Sequence, residues 1–179
     1  MFQKDNIWKV LQVFFNDPLP EGMGFQLREI SRKVKIAPPS VKRYLKKLEK
    51  EGFITRTRHR IHSYPVYHAN RDNEKFRWAK KIDIILRMRE SGLLEHLGRC
   101  CMPEVIILFG SAAQGEDTKE SDVDLYLQCK KEKVELKRFE TILERKISIL
   151  FNSNLHKLSN ELKNNILNGI ILKGYIKVF

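Results

Sequence analysis

Five apolar residues, Val105 to Phe109, run straight into Gly110-Ser111, and ten residues later come Asp122-Val123-Asp124; no other feature constrains this chain as much. The apolar run reads as a buried strand, and Val123 to Leu127 as a second one carrying the aspartates. Side chains two apart on a strand share a face, so Asp122 and Asp124 are expected to look the same way while Val123 faces the packing side. Two adjacent carboxylates repel each other, and a divalent cation between them relieves the repulsion. Gly110 lets backbone approach a ligand closely, and Ser111 stands where a helix would begin, with free N–H groups aimed outward. Phosphate grip and metal clamp converge, which is the equipment for moving a phosphoryl or nucleotidyl group.

Charge divides the chain. Of 179 residues, 34 are Lys or Arg and 22 are Asp or Glu, a net of +12. Residues 1–70 hold 14 basic and 6 acidic side chains, hence two thirds of the excess, whereas residues 103–179 hold 12 and 11. A polyanion, nucleic acid before any other, is therefore expected to meet the N-terminal part. Three cysteines, Cys100, Cys101 and Cys129, follow no disulfide spacing. With no signal peptide and no long apolar span, they point to a reducing cytoplasm and to no membrane partner. His96 beside Cys100 and Cys101 lacks the four-ligand spacing of a metal cluster.

In chain order, Ile7, Val10, Leu11, Phe14 and Phe15 make one face of a helix near residues 4–15, broken by Asp17-Pro18 and by Pro20 through Gly24. A short helix follows with Leu27, Ile30 and Val34 inward. After Ala37-Pro38-Pro39-Ser40, a third helix buries Val41, Tyr44, Leu45 and Leu48 and turns Arg43, Lys46, Lys47 and Lys50 outward. Residues 55–67, TRTRHRIHSYPVY, read as a basic hairpin carrying Arg56, Arg58 and Arg60. His59 and His62 have metal-ligand spacing but sit in that hairpin as solvated or phosphate-facing groups. Residues 70–90 read as a helix that Phe76, Trp78, Ala79, Ile82, Ile85, Leu86 and Met88 make apolar on several sides, suited either to bridging two domains with a dimer contact or to simple burial within one domain. Leu93, Leu94 and Leu97 mark a short helix. Beyond Gln128, the spacing predicts a helix over 132–145, a strand over 146–151, a helix through Leu155, Leu158, Leu162, Ile166 and Leu167, and an apolar tail that packs back.

The G-S, ten residues, D-V-D pattern with its flanking strands resembles the signature of minimal nucleotidyltransferases of the DNA polymerase beta superfamily, over residues 103–179. The SVKRYLKKLEKEGFI run with the basic hairpin resembles the recognition helix and wing of winged helix-turn-helix domains, over residues 1–70. Together they imply an α+β chain: a winged helix-turn-helix over 1–70, a bridging helical linker over 71–102, and a small mixed-sheet nucleotidyltransferase fold over 103–179. The first resemblance implies a nucleoside triphosphate held by Gly110 and Ser111, and Mg²⁺ or Mn²⁺ on Asp122 and Asp124, which would also be the catalytic pair. The second implies double-stranded DNA against Arg43, Lys46, Lys47, Lys50, Arg56, Arg58 and Arg60, mostly through phosphates. Winged-helix proteins often pair to match two half-sites, so a homodimer is expected.

Members of this superfamily usually supply a third metal-binding carboxylate from a neighbouring strand; here the matching place in Ile147-Ser148-Ile149 is Ser148. A neutral hydroxyl is a poor Mg²⁺ ligand, so binding would survive while the chemical step weakens. Glu144 is the nearest acidic alternative. Two functions stay open: a DNA-binding transcription regulator whose second domain senses nucleotide, and an active nucleotidyltransferase that modifies a protein partner as antitoxins of this kind do, with the winged helix as a targeting module.

Overall fold

The computed structural model describes residues 5–16 and 24–176. The break expected at Asp17-Pro18 and Pro20 lies outside the described residues, as do Lys177 to Phe179. Two compact units divide the chain, residues 1–80 and 81–179.

The first unit begins with α1 (Asn6–Asn16), α2 (Leu27–Val34) and α3 (Pro38–Lys50). Val10, Leu11, Phe14 and Phe15 of α1 are all buried, as their spacing requires. They meet Ile30 of α2 and Val41, Leu45 and Leu48 of α3 in one core. Phe14 packs edge-on against Phe25, and Phe15 against Phe76. Gln26 and Glu29 form a capping box at the start of α2, and Lys35, in the left-handed region, turns the chain toward α3. Prolines at the first positions of α3 have no N–H to leave unsatisfied there. A hairpin of β1 (Ile54–Arg58) and β2 (Pro65–Ala69) follows, antiparallel, and Phe25 bridges to Tyr67 as a third short rung. Its six-residue loop holds three near-parallel rings, His59, His62 and Tyr64, with centroids 4.7 to 5.8 Å apart.

Helix α4 (Glu74–Glu90) contributes Phe76 and Ala79 to the first core, and Ile84 and Met88 to a core of the second unit. Here the expected face is only partly right. Trp78 and Ile82 are about half exposed, whereas Lys80 and Asp83 are buried. Asp83 lies 4.0 Å from Arg87, so its charge enters the interior with a cation beside it.

The second unit continues with α5 (Leu93–Cys101), β3 (Val105–Phe109), α6 (Gly110–Gln114), β4 (Val123–Leu127), α7 (Lys137–Leu143), β5 (Ile147–Phe151), a turn of 3-10 helix (Leu155–Lys157), α8 (Asn160–Leu167) and β6 (Ile170–Gly174). The sheet order is β5-β4-β3-β6; β4 and β5 are parallel and the other pairs antiparallel. The sheet is covered on both sides. Ile106, Leu108, Val123, Leu125 and Leu127 meet α5, α6 and α7 on one face, and Val105, Ile107 and Tyr126 meet Leu155 and Ile166 on the other. That explains why β3 is continuously apolar and β4 is apolar except at Asp124.

Three expectations shift. The tail packs back as a strand, β6, which needs Gly174 at φ +75° against the Glu104 carbonyl. The helix expected over 132–145 is shorter, 137–143, with no regular structure assigned from 132 to 136. The helix through Leu155 breaks at Ser159, whose hydroxyl caps α8.

Candidate active site and basic face

The apolar strand β3 ends where backbone must turn, and Gly110 makes that turn at φ +72°. A Cβ there would lie 2.6 Å from Asp124 Oδ2, so the glycine turn and the second aspartate touch. Ser111 follows, half-buried, in α6, a helix of five residues. It is too short for a sizeable macrodipole; what it offers is a first turn of unpaired N–H groups.

Asp124 is the second residue of β4, half-buried, and Asp122 precedes the strand by one residue and is exposed. Alternation along β4 puts Asp124 on the face of Tyr126, while Val123 and Leu125 point into the opposite core. Burial raises the pKa of Asp124 above the ordinary carboxylate range, and the nearby charge of Asp122 raises it further. A cation shared by the two would relieve both causes. The pair suits one divalent ion that keeps waters and phosphate oxygens as its remaining ligands. Among the described residues no group of three or more His, Cys, Asp or Glu could hold a metal.

The parallel register sets Ser148 of β5 directly beside Asp124. It is exposed, and no described carboxylate completes a set of three. Glu144 ends α7 in the left-handed region at φ 55° and lines an open cleft of about 570 Å³ with Ser121, Asp122 and Lys137, and it forms no metal-binding group with the aspartates.

Sequence reasoning missed the pair that holds this corner together. Arg145 Nη2 lies 3.2 Å from Asp117 Oδ2, with both side chains under a tenth exposed. Nη1 of the same guanidinium donates to the carbonyls of Thr118 and Ser121. Burial lowers the pKa of Arg145 and the charge of Asp117 opposes that shift. Arg145 thus pins the loop that joins the Gly-Ser turn to Asp122. Ser121 is used within that loop, its hydroxyl accepting from the Thr118 N–H at 2.9 Å.

In the first unit, Arg43, Lys46, Lys47 and Lys50 are all exposed on α3, as are Arg56, Arg58 and Arg60 on the hairpin. Lys42, which sequence reasoning passed over, is exposed beside them. Lys47 lies 4.0 Å from Glu51 and Arg56 3.7 Å from Glu49. Among the described residues, Lys46, Lys50, Arg58 and Arg60 form no ion pair with a carboxylate. His59 accepts the N–H groups of Ile61 and His62 at its Nδ1, so that nitrogen serves the hairpin turn.

Residues 94–176 match the family model described as polymerase beta, nucleotidyltransferase, and residues 26–55 match that described as winged helix-turn-helix DNA-binding. The first match spans α5 to β6, the second α2, α3 and the start of β1. No curated protein and no solved structure matches the chain. No helix among the described residues is long and apolar enough to cross a membrane. The chain therefore joins a winged helix-turn-helix DNA-binding domain to a nucleotidyltransferase domain of the polymerase beta kind.

Proposed function

We propose that the second unit binds a nucleoside triphosphate with Mg²⁺ and that the first docks the chain on double-stranded DNA, so that the protein acts as a DNA-binding regulator responsive to nucleotide. The observation that carries this reading is the contact between the Gly110 turn and the Asp124 carboxylate, with Asp122 close enough to perturb it. A triphosphate laid on the Gly110–Ser111 backbone would reach those carboxylates through a shared metal ion. The ion would neutralise phosphate charge and fix the α-phosphate; the chain's own part is to hold both in place.

Ser148 beside Asp124 supports the regulator over a fast transferase. The site has two carboxylates where a second ion, one able to activate an acceptor hydroxyl, would need more. On the first unit, the exposed cations of α3 and the hairpin fit a phosphate backbone: Arg43, Lys46, Lys47 and Lys50 on the helix, Arg56, Arg58 and Arg60 on the wing. Two copies on paired half-sites, in the cytoplasm, would complete the picture.

The test is calorimetric titration of the purified chain with ATP and Mg²⁺, alongside Asp124→Ala. Binding that needs the metal and disappears in the variant agrees with the proposal. A folded sample that binds no nucleoside triphosphate contradicts it. For the DNA half, affinity for duplex DNA should fall steeply with salt, and a salt-independent interaction contradicts it.

A further inference from the structure

We infer that Ser148 is a nucleotidylation site of the chain itself: its hydroxyl accepts a nucleoside monophosphate from the triphosphate held beside Asp124. This rests on the nucleotide-binding reading above.

Ser148 is paired in register with Asp124 across adjacent parallel strands. Neighbouring strands lie about 4.8 Å apart, so a ligand on Asp124 is within reach of the next side chain on that face. The face is the same one. Tyr126 and Leu150, each two residues further along, pack in one cluster, while Val123 and Ile147 pack in the other. Among the residues of β5, Ser148 alone is exposed. Its hydroxyl makes no hydrogen bond within the described residues. By contrast, the hydroxyls of Thr118 and Ser121 in the nearby loop are 3.2 Å from each other.

In this superfamily a carboxylate is usual where this hydroxyl stands; its replacement removes an activating group but supplies a nucleophile. Transfer to an outside acceptor suffers from that loss. Transfer to Ser148 is intramolecular, and a nucleophile held beside its target gains an effective molarity on the order of 10⁵ M when well oriented, which offsets weak activation. The step balances as follows. Ser148 Oγ bonds to the α-phosphorus, the bond from that phosphorus to the oxygen bridging to the β-phosphorus breaks, and pyrophosphate leaves with the electron pair. The hydroxyl proton passes to water. The product is a phosphodiester on the chain, formed at most once per molecule, which places a nucleotide where the next triphosphate would bind.

The full-length chain is incubated with Mg²⁺ and each of the four ribonucleoside triphosphates, labelled at the α- or the γ-phosphate, then denatured and analysed by intact mass and peptide mapping. Nucleotide binding is measured in parallel. The expected result is α-label, without γ-label, on the peptide containing Ser148, absent in Ser148→Ala and retained at reduced rate in Ser148→Thr. A chain that binds nucleotide but gains no covalent label overturns the inference and leaves the binding reading standing. Undiminished label in Ser148→Ala, or label mapped to Ser111, also overturns it. Absence of nucleotide binding removes both.

Discussion

On α3 and the hairpin, cations project into solvent and, among the described residues, only Lys47 and Arg56 lie near a carboxylate; at the start of β4, a carboxylate is drawn in behind a glycine turn until burial alters its titration. The two regions use charge in opposite ways. A surface that attracts a polyanion needs only exposed charge of one sign, because phosphates are numerous and counterion release does not require one exact geometry. A site that grips a metal-bound phosphate needs charge held in fixed places, and holding it there costs stability. The molecule accepts that cost in the second unit, where the buried Arg145–Asp117 ion pair supports the loop leading to Asp122.

The sharpest way to break this contrast is to remove the support. Arg145→Met takes the guanidinium from a buried carboxylate and frees two loop carbonyls, and should destabilise the second unit by about 3 kcal/mol in urea unfolding. Lys46→Met on the exposed face should change stability by less than about 0.5 kcal/mol. Equal losses would erase the distinction. Next comes Gly110→Ala, which forces a side chain into the left-handed region and against Asp124 Oδ2. It should cost about 1 to 2 kcal/mol and at least about tenfold in nucleotide affinity, read by thermal unfolding and titration.

On the basic face, Lys46→Ala with Lys50→Ala should weaken duplex binding roughly tenfold and lower the slope of log affinity against log salt by about 1 per charge, measured by fluorescence anisotropy. Folding should be unaffected. The smallest effect is the most pointed. Because the folded-state pKa of Asp124 is raised, the folded chain binds more protons there than the unfolded chain, so stability falls as pH rises between the unfolded and folded values. Asp124→Asn should therefore raise the Tm of the metal-free chain slightly at neutral pH and leave it unchanged below the ordinary aspartate range. A lowered Tm at neutral pH would mean the carboxylate is stabilising where it sits.

What was legible in the sequence follows from this contrast too. The two strands, the glycine turn and the basic helix are local: a run of five apolar residues, a residue type tolerant of positive φ, and a period of 3.6 each announce themselves within a dozen residues. Arg145 and Asp117 lie 28 positions apart and belong to no periodic pattern, so their pairing had no local signal. On α4 the apolar surplus suggested burial of Ile82, yet Asp83 beside it is buried and lies near Arg87, so the face turned by one position. Strand β6 was read only as an apolar tail because glycines bound it on both sides and one of its apolar residues, Ile171, is half exposed. Within residues 132–136, Val134 and Leu136 reach the core without forming a helix, so their apolar spacing suggested a longer α7 than the Lys137–Leu143 that forms.

The central claim, that the Gly110 turn and the aspartate pair hold a metal-bound nucleotide, is tested most directly by titrating ATP into the chain with Mg²⁺ and again with chelator. The account predicts a saturable heat with Mg²⁺ that is lost with chelator and lost in Asp124→Ala. Equal binding in all three, or none in a folded wild-type sample, would contradict it.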